Sequence, residues 1–243
     1  MNTYQEHKRE ASILKRASAH EIMDIAVKHG GFIAGGAVRS VFASERINDY
    51  DIFFPSKKDF DNCTKEFAEL TNDEGGFKYK FTRTDSAWSY RTESKQQFQL
   101  IQAVFGTPDQ IVDSFDFTVC MAAWIPMDNR FLLNDLFLKH LSQRRLHFNA
   151  NAGYPICSLW RAFKYTQRGY KLPAIDAIKI ALKIHSLKLT DRGSLKKQLM
   201  GIDTVFLAEL TKALEEGSEA AYDFGEAIEM IETFIDEKET DTE

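Results

Sequence analysis

The segment that most constrains this chain runs from Phe32 to Phe54, FIAGGAVRSVFASERINDYDIFF. A short apolar run, Phe32–Ala34, enters a glycine pair, Gly35-Gly36. A short helical stretch, Ala37–Ala43, carries Arg39. A second strand then opens with carboxylates at alternate positions, Asp49 and Asp51, and continues through Ile52-Phe53-Phe54 to Pro55. Alternate residues of a strand share a face and lie about 6–7 Å apart. Two carboxylates held that close repel unless something positive lies between them. Hard oxygen donors favour magnesium in that role. The glycines let backbone N–H groups approach a phosphate with no Cβ in the way. The apolar residues that follow set the carboxylates at the start of a buried strand, where a metal or hydrogen bonds must satisfy them. The pattern predicts a nucleotide and metal site: Asp49 and Asp51 as catalytic residues and Mg²⁺ ligands, Gly35 and Gly36 as the phosphate turn, Arg39 as a charge partner.

The rest of the chain supplies a frame. Leu14, Ile22, Ile25 and Ala26 predict one helix over Gln5–His29, ended by Gly30-Gly31. A second helix is expected over Asp59–Leu70 and a short one over Pro108–Ser114. Strands are expected at Phe77–Thr84, Trp88–Arg91, Phe98–Phe105, Asp116–Ile125 and Arg130–Leu133. Interleaved strands and helices, several strands antiparallel, imply an α+β head. Beyond Asp135 helical periodicity dominates. Apolar stripes run through Leu159, Phe163 and Tyr170, through Ile175, Ile178, Ala181, Leu182 and Ile184, and through Leu199, Val205, Leu207 and Leu210. An acidic amphipathic segment, Ala220–Ile235, closes the series. A boundary at Asn149–Gly153 divides a head, residues 1–150, from a helical neck and acidic tail, residues 151–243.

Charge is distributed unevenly. Lys139–Met200 holds thirteen Lys/Arg against two acids, whereas Gly201–Glu243 holds two lysines against fourteen acids. A basic belt suits phosphate-rich partners, and a solvated helix face balanced by the tail explains it equally well. Within the belt Trp160, Phe163, Tyr165 and Tyr170 interleave with Arg161, Lys164, Arg168 and Lys171, a mixture that core packing accounts for more simply than base stacking. His140 and His147 read as ordinary surface or helix-end histidines. No apolar run approaches the roughly 18 residues of a membrane span, and the polar N-terminus lacks a signal-peptide core. Cys63, Cys120 and Cys157 are odd in number and lack metal-ligand spacing. The expectation is a cytoplasmic protein in a reducing compartment, without membrane contact.

The motifs resemble those of the DNA-polymerase-β-like nucleotidyltransferases, most closely the class II CCA-adding enzymes and bacterial poly(A) polymerases. That family's Gly-Gly-x-Val-Arg-Asp, Gly-Arg turn and Asp-x-Asp-Ile appear, without a gap, as Gly35-Gly36-Ala37-Val38-Arg39-Ser40, Glu45-Arg46 and Asp49-Tyr50-Asp51-Ile52. Its Arg-Arg-Asp-Phe-Thr-x-Asn-Ala is echoed by Ser114–Ala122. Its Arg-Ala-x-Arg-Phe-Ala helix is echoed by Arg161–Thr166. The resemblance covers about residues 20–170. Ser40 stands where the family has Asp, Cys120 where it has Asn, and the two arginines before Asp116 and a Glu-Asp-x-x-Arg neck motif are missing.

The resemblance implies a polymerase-β-like head with a helical neck, and Mg²⁺-dependent transfer of a nucleotide from ATP or CTP. It implies Arg161 and Lys164 as nucleotide-binding neck residues. Asp116 is the candidate third catalytic carboxylate, because Gln97, Gln99 and Gln102 on the preceding strand cannot act as bases; strand capping or a pair with Arg39 is the alternative. The first expectation for the acceptor is an RNA 3′ end laid on the basic neck. The second is a protein or small molecule, as for an AMP-transferring toxin. The third is a head fold retained as a non-enzymatic nucleotide-sensing module.

Overall fold

Asn2–Gln5 pairs with a strand more than a hundred residues away, so the first element closes the edge of a sheet rather than starting a helix. The computed structural model describes residues 1–71, 80–84, 86–92, 94–187, 189 and 192–199. In chain order these hold β1 (Asn2–Gln5), α1 (Lys8–Ala17), α2 (Glu21–Lys28), β2 (Phe32–Ala34), α3 (Gly36–Phe42), β3 (Asp49–Phe53), α4 (Lys57–Thr71), β4 (Lys80–Arg83), β5 (Ala87–Arg91) and β6 (Gln97–Ile101). Then follow α5 (Pro108–Ser114), a 3₁₀ turn (Thr118–Cys120), β7 (Ala122–Ile125), β8 (Arg130–Asn134), α6 (Phe137–Ser142), α7 (Pro155–Gln167), α8 (Ala174–Ser186) and α9 (Arg192–Leu199). The fold is α+β, with helices packed on a sheet ordered β1-β8-β7-β2-β3-β6-β5-β4. Among the described strand pairs of the sheet, the central β3–β6 pair alone is parallel.

Strand alternation decides what each face does. On one face Tyr50, Ile52, Phe98, Leu100 and Tyr90 are buried. Phe60 and Phe67 of α4 pack there edge-on against Trp88 and Tyr90, and the Tyr50 hydroxyl donates to the Ala17 carbonyl of α1 at 2.9 Å. On the other face Ile111 and Val112 of α5 cover Phe32, Ala34, Phe53, Ala123 and Leu132. That second face changes character beyond Phe53, where it carries Asp51 and Asp49.

Several sequence expectations are corrected. The long N-terminal helix is two helices. The Ser18 hydroxyl donates back to Leu14 at 2.7 Å as α1 ends, and the His20 ring accepts from the Ile22 N–H at 3.2 Å to cap α2. The expected strand from Asp116 starts only at Ala122. Before it, Asn149 N–H donates to the Asp116 carbonyl at 2.7 Å and Thr118 N–H to the His147 carbonyl at 3.1 Å, which draws the chain into a 3₁₀ turn. The helical stripes are also rotated. α7 buries Cys157, Ser158, Ala162 and Tyr165 and leaves Leu159 and Phe163 exposed. α8 buries Asp176 and Ile180 and exposes Ile175, Ile178 and Leu182. The reason is polar. Asp176 is fully buried, accepts from Phe148 N–H (3.2 Å) and Lys179 (3.1 Å), and faces His147 (3.1 Å) and Arg145 (3.9 Å). A buried carboxylate must keep these partners, so it fixes how α8 rolls. Val205, Leu207, Leu210 and Ala220–Ile235 lie outside the described residues.

Of the two readings for His140, surface or helix end, the second holds: it lies in the last turn of α6. It is buried, its Nδ1 lies 2.7 Å from the Thr118 hydroxyl, and its ring centroid is 5.2 Å from that of His147. Burial, then the positive neighbours His147, Arg145 and Lys139, lower its pKa, while Asp176 acts in the opposite sense. A histidine held neutral in the folded state contributes stability above its unfolded pKa of 6.5 and loses it as pH falls below that value. The thermal midpoint should therefore drop as pH is lowered from 7 towards 5. His140→Gln should flatten that part of the profile, as read by thermal melts across the range.

Candidate active site

The site is built by the pairing of β2 with β3. Phe32 faces Phe53 and Ile33 faces Ile52 in antiparallel register. Continuing that register sets Ala34 opposite Asp51 and the Gly35-Gly36 turn beside the start of β3. The glycine turn and both carboxylates thus occupy the same end of adjacent strands, as the sequence pattern requires. Asp49 and Asp51 lie on one face of β3, both partly exposed, between buried Tyr50 and Ile52. Their register partners on β6 are Gln97 and Gln99, so the carboxylates have amide neighbours. Among the described residues no group of three His, Cys, Asp or Glu side chains gathers as a metal cluster.

The two glycines have different tasks. Gly35 caps α3 with φ +78° and ψ −124°, a conformation disfavoured for any residue with a Cβ. Its N–H is already donated to the Ala122 carbonyl at 2.9 Å. Gly35 therefore shapes the turn, and the expectation that its N–H receives a phosphate is corrected. Gly36 is the partly exposed member, and a Cβ there would meet nothing within 4 Å. Its side of the turn is open to a ligand.

Arg39 points into the protein. Its guanidinium is buried, lies 5.0 Å from the Tyr165 ring centroid and 6.0 Å from that of Tyr170, and ion-pairs with Glu45 at 3.3 Å. One nitrogen donates to the Ser40 hydroxyl at 3.0 Å, while Nε and the other terminal nitrogen have no hydrogen-bond partner among the described residues. Ser40 and Glu45, the two departures from the family pattern nearest the turn, are thus its local partners.

Asp116 pairs with Arg161, not with Arg39. The Arg161 Nε donates to its carboxylate at 2.6 Å, and the Asp116 side chain is 6% exposed. Burial opposes the charge on Arg161, but Asp116 outweighs it and raises the pKa. Beside this pair Cys120 Sγ lies 2.9 Å from the Tyr165 hydroxyl. Burial pushes both the thiol and the phenol up, so neither is an activated nucleophile. The pairing ties the Asp116 turn to α7. Lys164 lies 6.0 Å from the Trp160 ring centroid. Arg168 and Lys171 fall beyond the end of α7.

Sequence reasoning passed over the polar neighbours of the carboxylates on β4 and β5. Lys80, Thr82, Ser89 and Arg91 occupy alternate positions of short strands, a signal visible in the sequence whose relation to Asp49 and Asp51 only the sheet order reveals.

A family model described as "Gabija anti-defense 2 family protein" matches residues 5–144. A curated relative named "Gabija anti-defense 2", from Bacillus phage SPbetaL7, is 31% identical over 216 residues, covering 88% of this chain and 52% of that protein. The chain thus spans about half the length of the curated relative. Among solved structures, an apo CCA-adding enzyme aligns with a TM-score of 0.57 and 12% identity, over 88% of this chain and 54% of that one. A CCA-adding enzyme complexed with ATP aligns at 0.56 and 15%, over 88% and 55%. The Thermotoga maritima CCA-adding enzyme complexed with tRNA aligns at 0.55 and 14%, over 88% and 55%. At these identities the likeness establishes the fold.

Two substitutions separate the roles of the glycines. Gly35→Ala should lower stability by about 1–3 kcal/mol, the scale of a forced backbone conformation. Gly36→Val should fold normally and lose nucleotide affinity; denaturant melts and titration calorimetry with ATP check both. For Asp116 and Arg161, a double-mutant cycle with Asp116→Asn and Arg161→Gln should give a coupling of about 0.5–3 kcal/mol in stability, as measured by urea unfolding.

Proposed function

Since the chain belongs to the Gabija anti-defense 2 family, we propose that it opposes that defence by nucleotidyl transfer, moving an NMP from ATP or CTP to an acceptor hydroxyl with Mg²⁺, the acceptor being an RNA 3′ end. The observation that carries the reading is the placement of Asp49 and Asp51 on one face of β3 beside the open side of the Gly35-Gly36 turn. The fold shared with CCA-adding enzymes supports it. So do CCA-adding enzymes of that fold solved in complex with ATP, CTP and tRNA.

The donor set fits magnesium. The two carboxylates offer only oxygen donors, and their register neighbours on β6, Gln97 and Gln99, bring no competing charge. Two carboxylates completed by substrate phosphates and water are a usual way to bind this ion. When bound, it neutralises phosphate charge and lowers the pKa of the attacking hydroxyl.

The chain's own residues account for the remaining work. Asp49 and Asp51 fix where the α-phosphate sits. Gly35 holds the turn, and Gly36 leaves room for the β- and γ-phosphates. The acceptor hydroxyl gives up its proton to water as its oxygen bonds to the α-phosphorus, the bond to the bridging oxygen breaks, and pyrophosphate departs in line. Arg161 and Asp116 act as positioning residues by fixing α7 against the head, while Lys164 extends the same helix towards solvent. Catalysis then rests on orientation and charge placement.

The test is radiolabelled ATP or CTP with Mg²⁺, offered total RNA and a cell lysate, followed by separate RNase and protease digestion. RNase-sensitive label is expected. Label removed only by protease would move the acceptor to protein, and no label from the wild-type chain would overturn transfer. Asp49→Asn and Asp51→Asn should each cut labelling by more than about 100-fold, the scale of losing a preorganised electrostatic group, with the thermal midpoint retained. A single variant with wild-type turnover would remove the two-carboxylate mechanism.

A further inference from the structure

Beside the carboxylates, the same sheet face, beyond the residues on which α5 packs, carries two polar rows that cross four strands. Pairing sets Asp49 beside Gln97, Gln97 beside Arg91, and Arg91 beside Lys80. The next row is Asp51, Gln99, Ser89 and Thr82. Between the rows, buried Tyr50, Phe98 and Tyr90 face the helices, so both rows face the other way. Lys80, Thr82 and Arg91 are exposed, and Ser89, Gln97 and Gln99 partly so.

The outer end of the first row brings two cations together. Lys80 and Arg91 stand directly opposite each other, and like charges in a cross-strand pair are destabilising. Among the described residues neither has an acidic partner. The hydrogen bond of the Arg91 side chain goes to the neutral Gln97 amide oxygen, at 3.0 Å. Such a pair is relieved by an anion lying across both strands.

We propose that this face is the acceptor track, on which the phosphodiester backbone of a single-stranded RNA 3′ end crosses β4, β5 and β6 to bring its terminal hydroxyl over Asp49 and Asp51. The proposal rests on the transfer reading above and deepens it. Three physical points favour it. In-line displacement needs the attacking oxygen and the leaving pyrophosphate on opposite sides of the α-phosphorus. The glycine turn lies on the β2 side of β3, so the acceptor enters from the β6 side. The row is graded from two cations through a neutral amide to the carboxylates, and an acid at Gln97 or Gln99 would repel a passing phosphate. The span from β4 to β3 is three strand spacings, about 14 Å, and β4 is the edge of the sheet, so a flexible strand has a way in. Thr82, Ser89 and Gln99 offer uncharged hydrogen-bonding groups to phosphates and sugars, contacts that position without reading sequence.

The experiment uses the full chain and a fluorescently labelled single-stranded oligoribonucleotide, followed by anisotropy between about 50 and 200 mM salt. Wild-type affinity should fall steeply with salt. Lys80→Gln with Arg91→Gln should weaken binding and flatten the log–log slope by about 1.4, at about 0.7 per lost contact. ATP affinity by calorimetry should be unchanged. The thermal midpoint should hold or rise, because the like-charge pair is gone; a variant that merely misfolds would lower it. Lys80→Arg with Arg91→Lys should restore the slope. The rival surface is the neck, tested by Lys164→Gln with Arg168→Gln. A slope that responds to the neck pair and not to the β4–β5 pair would overturn the acceptor track, as would absence of oligonucleotide binding at low salt. Salt-dependent binding through Lys80 and Arg91 in a chain that transfers no label would overturn the transfer reading and leave this surface standing.

Discussion

The antiparallel register that sets Ile33 against Ile52 brings the end of β2 and the start of β3 to the same edge of the sheet. Slipping this pair by one residue would turn Asp49 and Asp51 towards the helices and Tyr50 and Ile52 towards solvent. Burial on both sides prevents this. Tyr50 stacks on Phe98 at 5.0 Å between centroids, while Phe53 packs against Phe32 and Phe115 on the opposite face. The aromatic residues around the carboxylates therefore hold both of them on one side of the strand.

A second layer fixes how the helices after the sheet meet it. Arg39 leaves the glycine turn, passes inward and ends between Tyr165 and Tyr170. Asp116 and Arg161 close the same seam from the 3₁₀-turn side, and Asp176 anchors α8 through Phe148, Lys179 and His147. All three are buried or half-buried charges with specific partners. Such contacts contribute little net stability but penalise alternatives strongly, because a misplaced helix would leave a carboxylate or guanidinium unpaired. The seam thus orients α7, and with it Lys164, relative to the glycine turn.

The family and the fold make different contributions. The family is described as an anti-defense family, and the fold is shared with enzymes solved in complex with nucleotide and tRNA. The proposed transfer joins the two, with the β4–β5 face as the route by which an acceptor reaches the carboxylates. Fold alone does not fix function; the carboxylate pair and the open glycine are the features on which transfer would depend.

How much was legible in the sequence follows from the range of each interaction. The glycine pair, the Asp-x-Asp spacing and the Thr-Pro-Asp start of α5 act within a few residues, so they could be read directly, and the α5 boundaries agree with the reading. The partner of Asp116 could not be read, because Arg161 lies 45 residues away and Arg39 was as plausible a cation. The buried face of α8 differs from the apolar stripe because counting apolar residues assumes that hydrophobic burial sets helix rotation, whereas the buried Asp176 carboxylate and its partners hold α8 here. The rows from Asp49 to Lys80 and from Asp51 to Thr82 needed the order of four strands, and the sequence holds no local signal for that order. Local chemistry thus came from the chain itself. Which charges meet, and which face they share, was decided only by tertiary pairing, because Coulomb and hydrogen-bond partners are chosen by distance in space and not by distance along the backbone.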